Sequence, residues 1–298
     1  MKIWRIFALL AGSLSLCLAS ASKAAPLEPS SSWNLAYDAD SCALTRAFAQ
    51  GKNIVRLEFR RFEPGLGLQA MVVSNRMHAR TPPNFQYRFG DAGDWHPANN
   101  PNTLTLADHS SGVLFAPAII ERPEVEYIKD PVEQDAYRRS RDWQAVEEAA
   151  AAGIQTFALR RAFGVPLILH TGSLARPIAA LNQCADELLT HWGIDVEAHK
   201  TLTRGAIPTN LDKVGSMMDY PPEMIRRSMQ GVVNVRLSID EHGDITGCRI
   251  QMPLSDPAFE ASSCADIEHA IDFDPALDKD GNPIASYWVT KVYFSISH

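Results

Sequence analysis

The sequence has no CxxC pair, no HExxH, no GxSxG and no glycine-rich phosphate loop. Those absences remove the usual signatures of dithiol redox chemistry, zinc peptidases, serine hydrolases and nucleotide binding. Nine histidines are scattered, and none stands at metal-ligand spacing; Gly193 breaks the helix between His191 and His199. Basic residues are also in deficit: 28 Lys and Arg against 35 Asp and Glu give a formal charge of -7. A chain this acidic, with no basic stripe, repels phosphate backbones, so nucleic acid is not an expected partner. No proline-rich spacer, internal repeat or low-complexity tract is present.

What is present begins with an uncharged stretch. Lys2 and Arg5 precede Ile6–Ser22, and small residues follow to Ala24. That is the layout of a secretory signal, with cleavage expected after Ala24 and Ala21 as the second choice. A spanning helix needs ~20 apolar residues, and Gly12 and several serines interrupt this one. The expected location is the periplasm, and the alternative is a retained inner-membrane anchor facing it. Lipidation at Cys17 is disfavoured by Leu16, where a small residue is wanted. Loss of Lys2, Arg5 and Lys23 takes the formal charge from -7 to -10.

Cys17 leaves with such a signal, so Cys42, Cys184, Cys248 and Cys264 remain. An even count in an exported chain predicts two disulfides, with three connectivities open. Position favours Cys42 with Cys184 and Cys248 with Cys264, one pair in each half. The alternative is buried free thiols.

The length of 298 residues fits about two domains, and the expected class is α+β. Residues 25–200 read as a β-rich domain with one or two helices. In IVRLEFRRF, Val55, Leu57 and Phe59 share one face and Arg56, Glu58 and Arg60 the other. Glu63-Pro64-Gly65 turns that strand into LGLQAMVV, a hairpin. TLTLA and GVLFAPAII are further strands, and Pro82-Pro83 and Asn99-Asn100-Pro101 mark loops. Residues 132–152 read as one helix, followed by a hairpin around Phe163-Gly164. Leu174, Ile178, Leu181, Ala185, Leu188 and Trp192 then recur at helical spacing, with Cys184 beside that face. Periodicity fades over 201–218, which reads as a linker.

Residues 219–298 carry the clearest pattern. PPEMIRRSMQ predicts a short helix with prolines at its start. GVVNVRLSID places Val233, Val235, Leu237 and Ile239 on a buried face, Glu241-His242-Gly243-Asp244 turns, and ITGCRIQM returns antiparallel. Asp256-Pro257 opens a helix carrying Phe259, Cys264, Ile267 and Ile271, and SYWVTKVYFSI is a long closing strand with Trp288, Val292, Phe294 and Ile296 inward. The carboxylates of FDPALDKDG lack the oxygen ladder of a calcium loop and read as a solvated acidic loop.

One stretch in the first half invites a catalytic reading. LILHTGSL has the outline of an aspartic-protease strand and turn, but His170 stands where the carboxylate belongs, and an imidazole cannot form a proton-sharing carboxylate dyad. A strand end running into a helix accounts for it better. No catalytic residue and no cofactor is expected, and a hydrolase in the first half is the rival reading.

The Tyr220-Pro221 start, the GVVNVRLSIDEHGDI block, FDPALDKDGNPI and the aromatic last strand together resemble the C-terminal domain of the TonB family of periplasmic energy-transducing proteins. The Cys248–Cys264 pair resembles that of a TonB-like subset, and the first half more loosely resembles the region preceding this domain in alphaproteobacterial TonB-like proteins. The resemblance implies a small antiparallel sheet backed by two helices. It also implies docking of an extended TonB-box peptide from an outer-membrane receptor, or of another envelope protein, along the edge of the last strand. The edge expected is Tyr287–Ser295, with Tyr287, Val289, Lys291 and Tyr293 facing outward and Tyr220 and Pro221 beside the peptide. The same edge could instead pair with a second copy of the chain. A cleavable leader, the lack of a spacer, and six cations against twelve acids in residues 220–298 weigh against a full energy transducer. The alternative reading is a membrane-anchored TonB-type energy transducer that keeps the N-terminal segment as its anchor.

Overall fold

A computed structural model describes residues 25–79, 85–120, 130–139, 142–211, 218–252, 256–294 and 296. The expected signal segment, the Pro82-Pro83 loop and residues 212–217 of the expected linker lie outside the described residues. The architecture is α+β, with two separate cores, one in each half.

The first half is organised by strand alternation. β1 (Glu28–Pro29) and β2 (Asn34–Tyr37) share one side of β3 (Cys42–Gln50), which continues through β4 (Asn53–Arg61) and β5 (Gln69–Ser74). A second, four-stranded sheet begins with β6 (Gln86–Phe89) and β7 (His96–Pro97). The first sheet is completed by β8 (Asn99–Thr105) and β9 (Ser111–Ala116), with β9 pairing β5. Val55, Leu57 and Phe59 of β4 are fully buried, as the alternation requires. The period carries on one step further, to Arg61, which is also 0 % exposed.

The helix expected over 132–152 is two helices, α1 (Pro131–Arg139) and α2 (Trp143–Ala151). Asp142 breaks the run because it caps the second helix, its carboxylate accepting from the Ala145 amide at 3.0 Å. Buried Glu147 of α2 pairs with Arg61, so the arginine enters the core with a partner for its charge. β10 (Thr156–Arg160) and β11 (Leu167–His170) form the expected hairpin and extend the second sheet. α3 (Ala175–His191) lays Ile178, Leu181, Ala185 and Leu188 on the strands, and Cys184 bonds Cys42 on β3. A short helix, α4 (Val196–Lys200), follows.

Part of the stretch read as a linker is stitched to the C-terminal half. β12 (Ile207–Pro208) pairs with residues 273–274, the Thr203 amide donates to Leu277 O at 3.0 Å, and the Thr209 amide donates to Asp272 O at 2.9 Å. The low periodicity there reflects side chains of mixed polarity on a backbone that is nonetheless hydrogen-bonded.

The C-terminal half follows the expected order of helix, strand, strand, helix, strand: α5 (Pro222–Arg226), β13 (Gly231–Ile239), β14 (Ile245–Ile250) and α6 (Pro257–Ala270) come first. Three two-residue strands, β15 (Phe273–Asp274), β16 (Ala276–Leu277) and β17 (Pro283–Ile284), then lead into β18 (Ser286–Phe294). Asp256 caps α6 by accepting from the Ala258 amide at 3.0 Å, with Pro257 in the first turn. Cys248 of β14 and Cys264 of α6 form the second disulfide, closing a short loop whose cross-link stabilises by ~3 kcal/mol in the chain-entropy picture. In the acidic loop, Asp278 accepts from the Asp280 and Asn282 amides, each at 2.8 Å, and closes the β16–β17 turn.

Candidate functional site

β18 lies at one side of a sheet ordered β14-β13-β18. One long edge of it pairs with β13 over nine residues, and the other pairs with no described strand. The register sets Tyr287 opposite Ser238, Val289 opposite Arg236, Lys291 opposite Asn234 and Tyr293 opposite Val232, so these side chains share one face. Trp288, Val292 and Phe294 turn the other way, into the core beneath α6.

The expectation that the first of these faces looks outward is corrected by the structure, because the N-terminal domain covers it. The Tyr287 ring meets Trp192 edge-on at 5.1 Å and lies 6.0 Å from the His199 ring. The Lys291 ammonium stands 5.9 Å from the centre of the Phe62 ring. Lys291 and Tyr293 meet Gln69 and Phe115 around a narrow gap. Of the four side chains only Tyr293 is exposed, at 43 %. A face with two tyrosines and a valine beside a tethered apolar surface gains more by closing on it than by staying in water.

Polar groups fix that contact. Arg236, 7 % exposed, donates from Nη2 and Nε to Asp40 Oδ1 at 2.9 and 3.2 Å, and its guanidinium lies 4.4 Å over the Trp192 ring. Gln251 Nε2 donates to the carbonyls of Asp40 at 2.9 Å and Phe62 at 2.7 Å. His199 Nε2 and Ser286 Oγ are 2.9 Å apart. Asp40, Phe62, Arg236 and Gln251 were not singled out by sequence reasoning, and Trp192 was read only as part of the apolar face of its helix. The available signal was the aromatic content of the outward positions of β18, too high for a strand face left in solvent.

Charge at the junction is muted. Burial pushes the Glu63 carboxyl up to about 7, with Arg138 and Lys291 pulling against it. Glu63 keeps part of its area in solvent, but protein crowds the rest. Burial lowers the Lys291 ammonium against the pull of Glu63, and burial, with the charges of Glu63 and Asp186, raises the Tyr287 hydroxyl well above its ordinary range. Burial likewise lowers His199, against the hydrogen bond to Asp195.

Tyr220 and Pro221 occupy a different place. The Tyr220 ring packs edge-on against Phe259 at 5.6 Å and Phe294 at 5.5 Å, and its hydroxyl donates to Met229 O. Pro221 caps α5, its carbonyl accepting from the Met224 amide at 2.9 Å. Tyr220 therefore meets the Phe294 end of β18, whereas Tyr287 lies seven residues away, ~23 Å along an extended strand. Four of the six residues run along β18, Tyr220 packs at its Phe294 end and Pro221 caps α5, so the six do not converge on a point.

His170 ends β11, exposed, with Nδ1 3.0 Å from Glu28 Oε2. Nearby Ser173 donates its hydroxyl to Ala152 O at 3.3 Å, so serine and histidine are not joined as a nucleophile and base. Among the described residues no group of three His, Cys, Asp or Glu side chains could hold a metal ion, and no helix is long and apolar enough to cross a membrane.

No curated protein and no solved structure matches the chain significantly. Residues 216–296 match the family described as Gram-negative bacterial TonB protein C-terminal, so that segment is a TonB-like C-terminal domain.

Proposed function

We propose that this chain is an exported, non-enzymatic protein-interaction module of the cell envelope. Its TonB-like domain docks an extended peptide from an outer-membrane receptor by strand addition to β18. The observation that carries the proposal is the edge from Tyr287 to Val292, which pairs with no second described strand. Both faces of β18 are already committed, one to the core and one to the N-terminal domain. Strand addition needs neither face, since main-chain hydrogen bonds supply the affinity. The N-terminal domain then acts as a brace that holds the sheet from behind.

The test is titration of TonB-box peptides into the isotopically labelled mature chain. Saturable amide shifts confined to Tyr287–Val292 are expected. No shift at millimolar peptide would overturn the docking proposal, and concentration-dependent shifts without peptide would show that the edge pairs with a second copy.

A further inference from the structure

An open groove of about 580 Å³ lies between β2, the start of β3 and the first turns of α3, apart from the residues of the β18 site. Trp33, Leu35 and Leu44 form its sheet side, and Arg176, Pro177 and Ala180 its helix side. The volume lies in the range of small-molecule sites, which are mostly apolar with a few polar groups for orientation. Pro177 and Ala180 are too small to reach across to the strands, so the helix face leaves a space there.

The aromatic wall is held in place beforehand. Trp33 stacks on Phe59 at 6.2 Å, and the Arg46 guanidinium lies 5.6 Å from its ring. Arg46 is itself tied down, donating from Nε to Ser31 O at 2.9 Å and from Nη1 to Thr171 O at 2.6 Å. A rigid wall spares a ligand the cost of ordering the site. Tyr37, two residues beyond Leu35 on the same strand face, continues the apolar surface and is 60 % exposed.

Charge gives the groove a preference. Among the described residues no acidic side chain lines it, although the chain as a whole carries -7. Arg176 is exposed at its rim and makes no hydrogen bond or ion pair among the described residues. One unpaired cation at the rim of an apolar wall complements a molecule with an apolar body and an anionic head.

We propose that this groove binds a small amphiphile of the alkyl carboxylate class, with its tail along Trp33, Leu35 and Leu44 and its carboxylate at Arg176. The experiment is calorimetric titration of the full exported chain with decanoate and, separately, decanol, both below their aggregation concentrations. Binding at one site per chain is expected, with decanoate tighter. Ala180→Leu, which fills the groove, should abolish binding of both. Arg176→Gln should weaken decanoate by roughly threefold to fivefold, the size of a partly exposed ion pair, and leave decanol unchanged. No saturable binding, or binding indifferent to Ala180→Leu, would overturn the site. Equal affinity for decanoate and decanol would overturn the anion preference. A dimer that Ala180→Leu disrupts would make the groove a contact between copies and overturn the ligand.

Discussion

Glu63 ties the charge of the junction to pH. Its folded pKa of about 7 lies above the ordinary 4.5, so between those values the folded chain keeps a proton that the unfolded chain has released. Stability contributed by this group is therefore intact at pH 4, falls as pH rises through that window, and is lost above pH 7. Glu63→Gln should leave stability at pH 4 almost unchanged and raise it at pH 8 by roughly 1–2 kcal/mol. The gain is trimmed by partial exposure and by the loss of a partner charge for Lys291. Urea unfolding at the two pH values measures the difference, and a parallel pH slope in both proteins would refute the assignment. At the same scale, the burial of Arg61 was implicit in the alternation of β4, which puts it in line with Val55, Leu57 and Phe59. Its partner Glu147 was not legible, because 86 residues separate the two and nothing local in either segment names the other.

Among the elements, the β13–β14 turn shows how tightly the C-terminal domain depends on glycine. Gly243 has φ +90°, and a Cβ there would lie 2.2 Å from the Phe273 carbonyl oxygen. That oxygen belongs to β15, which carries β12 on its other side, so the backbone it would strike cannot shift alone. Gly243→Ala should cost roughly 1–3 kcal/mol from backbone strain, with the clash adding to it, and lower the melting temperature accordingly. Unchanged melting would mean the turn and β15 are not in contact. The turn itself was plain in Glu241-His242-Gly243-Asp244, and so were every long strand and helix of this half, because alternation and capping residues are local signals. The short strands β12 and β15 were not. Two-residue pairings carry no period, and their hydrogen bonds arise from where the larger elements bring the backbone. Asp142 was likewise readable as a cap only once the helix on its far side was known to stand alone.

At the scale of the molecule, the two halves have separate cores but share a polar junction at Asp40, Phe62, Arg236 and Gln251. Asp40→Ala would leave a nearly buried guanidinium without its carboxylate, a loss on the order of 3–5 kcal/mol for a buried pair. Calorimetry should show one cooperative transition for the unaltered chain and two for Asp40→Ala combined with Gln251→Ala. Two transitions in both proteins would mean the junction does not couple the domains. The junction also sits close to a covalent bond. Cys42 follows Asp40 by two residues, and the helix that holds Cys184 runs on to Trp192, whose ring lies under Arg236. In mechanical terms, a strand added to β18 and pulled along its length would load β18 against β13 in shear across their nine register pairs. The load would then pass through Arg236 to a chain segment and a helix that the disulfide prevents from parting. If a peptide docks there as proposed, the C-terminal sheet would be the handle and the cross-linked N-terminal domain the fixture.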